Sequence, residues 1–337
     1  MTPTRISFEK WFERQYASME LCFLCGKTLT KDNSTKEHIF PQWILNKFDL
    51  WDKSITLLNG IRYDYKRSII PCCNVCNNEH LSKLESIIKN GVEKGYQFFK
   101  ENVPLIAIYQ WCQLIFYKWL YKETFFKENV KDPHSEKIVR KENFESMSLN
   151  HLLLRSIDKR IKFENFFPGS IFICHLKTGQ NASDNFDYLD AVPEQCIMLR
   201  LGEIGIVVML ADSEIQKYVF ADQYRVYLSN ILAPIQLKNL FIQCMYRQHL
   251  FNDPYSFELK DITDDSLTIS QIPKENFTGD VYTEWLHTDY AILLNQVFGG
   301  GMHNYLVEKG IPSFLFDKDG NFKDRAFDSD GTILPNE

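Results

Sequence analysis

Two Cys-x-x-Cys pairs, Cys22-Phe-Leu-Cys25 and Cys73-Asn-Val-Cys76, stand about 48 residues apart in the first third of this chain of 337 residues. Each such pair turns the backbone so that two thiolates face one ion, and two pairs together supply the four ligands of tetrahedral zinc. Whatever fold surrounds them must therefore bring residues 22–25 and 73–76 to one place. A small β-rich unit with little core of its own gains folding free energy from such a metal. Five of the nine cysteines lie between Cys22 and Cys76, and the charged opening MTPTRISFEKWFERQY lacks the apolar run of an export signal. Metal-bound thiols in a reducing cytoplasm are expected, rather than disulfides. Cys72 offers a second spacing, Cys72-x-x-x-Cys76. The pair that repeats the first spacing is preferred, which leaves Cys72 as a core or reserve thiol. Cys112, Cys174, Cys196 and Cys244 lie singly in apolar surroundings and read as core.

A passive zinc ribbon has no need of two further features. Glu37-His38 lies between the knuckles and sets a hard oxygen beside a base that titrates near neutral pH. Asn77 directly follows the last cysteine, at the first turn of a helix signalled by Leu81, Leu84, Ile87 and Ile88. Its side-chain oxygen can reach a cation held by Glu37, and an oxygen pair that leaves the remaining positions to water and phosphate suits Mg²⁺ or Mn²⁺. His80, on the same helix face as Asn77, is a candidate metal or phosphate contact, with a plain surface role as the alternative. Arg62, Lys66 and Arg67, interleaved with Tyr63 and Tyr65, can track a phosphate backbone or simply form an exposed strand face. His134, His151, His175, His249, His287 and His303 read as ordinary surface or core residues.

The order Cys-x-x-Cys, Glu37-His38-Ile39-x-Pro41, Cys-x-x-Cys-Asn77 resembles the HNH (ββα-metal, His-Me finger) endonuclease superfamily, in its four-cysteine zinc branch. The resemblance spans roughly residues 20–90. It implies a ββα fold with the Glu37–Pro41 segment on one strand, residues 62–70 on the next and residues 77–89 on the helix. It also implies that Glu37 and Asn77 hold a divalent ion. His38 then activates water for in-line attack on phosphorus, giving 5′-phosphate and 3′-hydroxyl products. Three features depart from the pattern. Glu37 stands where Asp is commoner, and thirty-four residues separate His38 from Cys73, so a segment is inserted between the strands. The middle Asn, which steadies the base through a backbone bond, has Asn59 as its nearest counterpart. Free-standing HNH proteins with long extensions are often effectors of bacterial anti-phage defence, an association of family and not of physics.

Outside this region the sequence changes character. A net charge of −6 divides into +4 over residues 1–100 (15 Lys+Arg, 11 Asp+Glu) and −10 over residues 101–337 (23 and 33), so positive charge sits where the candidate chemistry sits. Phe8, Trp11, Phe12 and Tyr16 recur at helical spacing. Residues 105–126 form a helix apolar all round, hence buried. Gln110, Gln113 and Lys118 interrupt the run 103–121, which therefore does not read as a membrane span. Residues 127–142 read as a linker or exposed loop. Residues 170–175, 195–201 and 204–210 read as strands, the last of them central in its sheet. Residues 234–250 and 280–298 read as helices, Gly299–Gly300–Gly301 as a break, and Asp317 and Asp319 as a solvated turn rather than a calcium loop.

The expectation is an α+β chain. Residues 1–92 form the ββα zinc domain and 93–165 a helical connector. Residues 166–337 form a mixed α/β domain whose role the sequence leaves open between a sensor, a module that binds a protein partner or ligand, and a targeting element. The expected activity is metal-dependent hydrolysis of DNA in the cytoplasm, away from membranes. RNA as substrate, and a non-catalytic zinc module that binds nucleic acid or protein, are the alternatives.

Overall fold

The computed structural model describes residues 10–57, 59–263, 266–299, 311 and 313–324. Helices and several small sheets place the chain in the α+β class, as expected. It divides into two units, the first made of residues 1–94, 101–166 and 257–271, the second of 95–100, 167–256 and 272–337.

In the first unit β1 (Ser34–His38) ends where the chain turns through Ile39 and Phe40 to Pro41, which caps α1 (Gln42–Lys47). The inserted segment then forms its own hairpin, β2 (Ser54–Thr56) with β3 (Arg62–Asp64). A 3₁₀ turn at Tyr65–Arg67 follows, and β4 (Ile69–Cys73) pairs antiparallel with β1, Ser34 opposite Cys73 and His38 opposite Ile69. The second strand is thus shorter than residues 62–70. The insertion takes Arg62–Asp64 into its hairpin, and Ser68 Oγ bonds back to Asp64 O at 3.0 Å. A π-helical turn, Cys76–Leu81, runs into α2 (Ser82–Glu93), so two strands and a helix follow in the expected order.

The core of the unit is α3 (Leu105–Glu123), buried on nearly every side, with Trp111, Tyr117 and Tyr121 fully enclosed. A helix with no polar face needs neighbours all round. The stretch expected as a connector therefore belongs to this unit, apart from residues 95–100. Residues 10–13 are helical, and Phe12 stacks on Phe144 at 4.5 Å; Phe8 lies outside the described residues. Phe144 sits on α4 (Lys141–Ser146), followed by α5 (Ser148–Leu154) and β5 (Arg160–Glu164).

The second unit holds a five-stranded sheet of β6 (Ile171–Leu176), β7 (Phe186–Ala191), β8 (Cys196–Leu201), β9 (Ile204–Met209) and β10 (Ile231–Leu232), in the order β10-β6-β9-β8-β7. The apolar run of β9 does take the middle place and is buried at every residue. Short helices α6 (Ile215–Val219) and α7 (Ala221–Ser229) precede α8 (Pro234–His249), which packs on the sheet. Gly205 of β9 admits that helix, since a Cβ there would lie 2.8 Å from Leu237 Cδ1. The chain returns to the first unit through β11 (Tyr255–Lys260) and β12 (Ser266–Pro273), and β12 pairs parallel with β5. Leu152, Leu153, Leu267 and Ile269 form the core beneath that sheet. In the second unit α9 covers His287–Phe298, seven residues shorter at its start than expected, because Val281 O and Tyr282 are drawn into pairing with Asn252 and Phe251. Asp317 caps a tight turn closed by a Phe316–Phe322 bridge. His303, Gly300, Gly301 and the tail beyond Asp324 lie outside the described residues. Among those residues, no helix is long and apolar enough to cross a membrane.

Candidate metal centre and active site

The two knuckles meet. The sulfurs of Cys22, Cys25, Cys73 and Cys76 all lie within 4.8 Å of one another, and those of Cys25 and Cys73 are 3.7 Å apart. Zinc about 2.3 Å from each of four sulfurs would set them roughly 3.8 Å from each other, so the cluster is of a size to hold that ion. Local geometry explains the convergence. Gly26 N–H donates to Cys22 O at 2.8 Å with φ +68°, a conformation that favours glycine, and a Cβ there would collide with the Trp11 indole. Phe23 N–H reaches Pro71 O at 3.1 Å, which ties the first knuckle to β4. Cys76 N–H donates to Cys73 Sγ at 3.5 Å. Hydrogen bonds from Cys25, then Cys72 and Cys76, hold the Cys22 thiol far below its ordinary range, while the same bonds to Cys22 raise Cys25 and Cys76, so the cluster places its negative charge on one sulfur. Cys72 is fully buried 4.0 Å from Cys22 Sγ and donates to Cys73 O, a neighbour of the cage outside the converging four.

His38 closes β1. Its half-buried ring meets the edge of Trp51 at 6.2 Å, and Trp51 is itself held by Asn46 Oδ1 at 2.6 Å. Burial lowers the imidazole pKa, Lys118 lowers it further, and Glu37 and a bond to the Lys66 backbone partly offset this. The shift favours the neutral ring, the form in which an imidazole accepts a proton.

Glu37 points to the other side of the strand, because successive residues of a strand alternate. Its carboxylate is buried and lies 2.5 Å from Nζ of Lys118, a lysine of α3 with no solvent exposure. Lys118 also donates to His38 O at 2.9 Å and reaches Ile39 O at 3.5 Å, while Glu85 Oε1 lies 3.9 Å away. Burial pushes the Glu85 carboxyl up to about 7 against the pull of Lys118. Asn77 sits on the π turn and donates through Nδ2 to Thr35 Oγ1 at 3.1 Å. Glu37 and Asn77 thus lie along one side of β1, Glu37 paired through Oε1 with Lys118 and Asn77 bonded through Nδ2 to Thr35. Asn59 does not steady the base: it accepts from Ile61 N–H and donates to Lys127 O.

The insertion carries the basic residues, and the His38 ring bonds the Lys66 backbone. Arg62 bonds Ser54 Oγ at 3.1 Å, Lys66 pairs with Asp52 at 2.7 Å and Arg67 with Asp64 at 3.4 Å, all near the surface. Such exposed pairs exchange readily for phosphate. His80 is half-buried on the same π turn as Asn77.

Sequence reasoning missed Trp51, Thr35 and Lys118. The signal for Lys118 was present, since a lone lysine inside an apolar helix requires a carboxylate partner. The second unit adds a cavity of about 510 Å³ between α8, α9 and β7, lined by Phe241, Met245, Leu293 and Val297 with Asp190 and Glu194, a size suited to a small molecule. Burial raises Asp190 there to about 6. No family model, curated protein or solved structure matches the chain.

Proposed function

We propose that the chain is a zinc-stapled, HNH-like endonuclease acting on DNA, with His38 as general base. One observation carries the reading. A four-cysteine cage joins two strands to a helix, and the half-buried His38 imidazole, its pKa lowered by burial, bonds the backbone of Lys66 in an insertion that carries Arg62 on its hairpin and Lys66 and Arg67 on the following 3₁₀ turn. In the proposed reaction a water oxygen attacks phosphorus in line, its proton passes to His38, and the P–O3′ bond breaks. The 3′-oxygen takes a proton from solvent, leaving 5′-phosphate and 3′-hydroxyl ends, while the cations Arg62, Lys66 and Arg67 of the insertion hold the flanking phosphates.

Zinc fits the cysteine cage, where it would fasten the knuckles around the strand pair. Mg²⁺ or Mn²⁺ at Glu37 and Asn77 would share the Glu37 carboxylate with the Lys118 ammonium on Oε1 and take the Asn77 Oδ1 while Nδ2 bonds Thr35. No step is assigned to a second metal. The same ion pair favours a second reading, a zinc module that binds nucleic acid without cutting it.

Incubating the protein with plasmid DNA, and separately with structured RNA, in Mg²⁺, Mn²⁺ or chelator decides between these readings. Cleavage by wild type that His38→Ala lowers by about two orders of magnitude or more, at unchanged zinc content and DNA affinity, is expected. Equal rates in the two proteins would leave the binding module. A cytoplasmic role in bacterial defence remains a proposal drawn from the family, tested by whether His38→Ala abolishes protection of cells challenged with phage.

A further inference from the structure

We propose that Lys118 and Lys122, one turn apart on α3, position the His38 ring by clamping the two strands at the rung that carries it. The proposal rests on the reading of His38 as base. Residues four apart share one face of a helix. From that face Lys118 reaches the carbonyls of His38 and Ile39, and Lys122 donates to Ile69 O at 2.9 Å. Ile69 is the residue opposite His38, and theirs is the last rung of the β1–β4 ladder. Carbonyls at a ladder's end need partners from elsewhere when they are buried, and here both strands find them on one helix.

The charges explain why the clamp takes this form. A buried ammonium is costly unless it is paired, and Glu37 pairs it. Glu85, the second carboxyl near Lys118, shares that ammonium without adding a second full charge near neutral pH. Lys122 lies 5.4 Å over the Tyr63 ring of the β3 strand, so the same turn of helix also braces the hairpin beside His38. The backbone bond that the HNH resemblance assigns to a middle asparagine is thus made by a lysine from a helix beyond the ββα unit. A plain anchoring pair would need only the Glu37 contact. The bonds to the backbone of the His38–Ile69 rung are what make this a positioning device.

The test uses the full chain with two variants, Lys122→Met and the charge-balanced pair Glu37→Gln with Lys118→Met. Zinc content, melting temperature, kcat and KM are measured, together with the ring-nitrogen NMR shifts of His38. Zinc and KM should hold while kcat falls at least about tenfold, the scale of loss when a catalytic group is misplaced, and the His38 ring signals should move. Lys122→Arg should restore them. Ring signals unmoved in the folded variants overturn the proposal, as does an unchanged kcat in a protein that cleaves. Should the double variant fail to fold, Lys122→Met decides alone. If wild type cleaves nothing yet the ring signals move, the general-base reading falls and the clamp stands. If His38→Ala abolishes cleavage but neither clamp variant changes it, the reverse holds.

Discussion

His38 has its pKa lowered from 6.5 mainly by burial, with Lys118 acting in the same direction and Glu37 against it. A base works in its neutral form, so cleavage should rise with pH through a midpoint below 6.5 and be flat across neutrality; a pH profile of kcat/KM with its limb above 6.5 would contradict this assignment. His151 carries a larger shift and no proposed chemistry. It is fully buried among Trp11, Phe12 and Tyr117, donates through Nε2 to Phe23 O at 3.0 Å, and titrates at about 3, chiefly through burial and then through Arg155. An unfolded chain takes up this proton near 6.5, so the folded state loses stability as pH falls from there to about 3. The loss is on the order of 5 kcal/mol. His151→Gln keeps a donor for Phe23 but cannot titrate in this range, so its chemical-denaturation stability should depend less steeply on pH over that window. The ordinary core role expected for this residue matches what surrounds it. The partner of Lys118 was less legible, because Glu37 is 81 residues away and only the packing of α3 on β1 selects it over other carboxylates.

At the scale of elements, the repeated Cys-x-x-Cys spacing selected the four sulfurs that converge and set Cys72 aside. Cys73→Ser should therefore lose zinc and destabilise the β1–β4 pair, whereas Cys72→Ser should keep it; metal analysis of the purified variants checks this. Strands with continuous apolar runs were legible for the same reason that β8 and β9 are buried on both faces. The limits of the second strand were not, since residues 62–70 have strand-like composition throughout. Which part pairs with β1 depends on where the inserted hairpin closes. Nor could sequence show how closely α8 approaches β9. Gly205→Ala places a methyl against Leu237 and within 3.0 Å of Leu176 Cδ1. The sheet–helix contact must shift, and a loss of about 1–3 kcal/mol is expected in urea unfolding.

Across the whole molecule the chain leaves the first unit after residue 166, passes through most of the second, and comes back at residue 257. Composition marked the change of character near residue 166 but not the return, because a strand that pairs with a distant partner looks like any other strand. Phe166 and Phe257 stand 5.4 Å apart between ring centroids, so the ends of the excursion are adjacent. Ending the chain near residue 131 would remove α4, α5, β5 and both returning strands, and the product should aggregate. Replacing residues 167–256 by a short glycine-serine link should instead leave the cysteine cage and the β5–β12 pair able to form, which zinc content and circular dichroism would report. The parallel pairing of β12 with β5 joins residues 160–164 to 266–270. During synthesis at about 5–20 residues per second the first unit waits several seconds, holding an exposed edge on β5, until its last strand leaves the ribosome. The segment carrying the cysteines and His38 is made first but gains its full surroundings late, so the order of translation itself delays the moment at which this unit is complete.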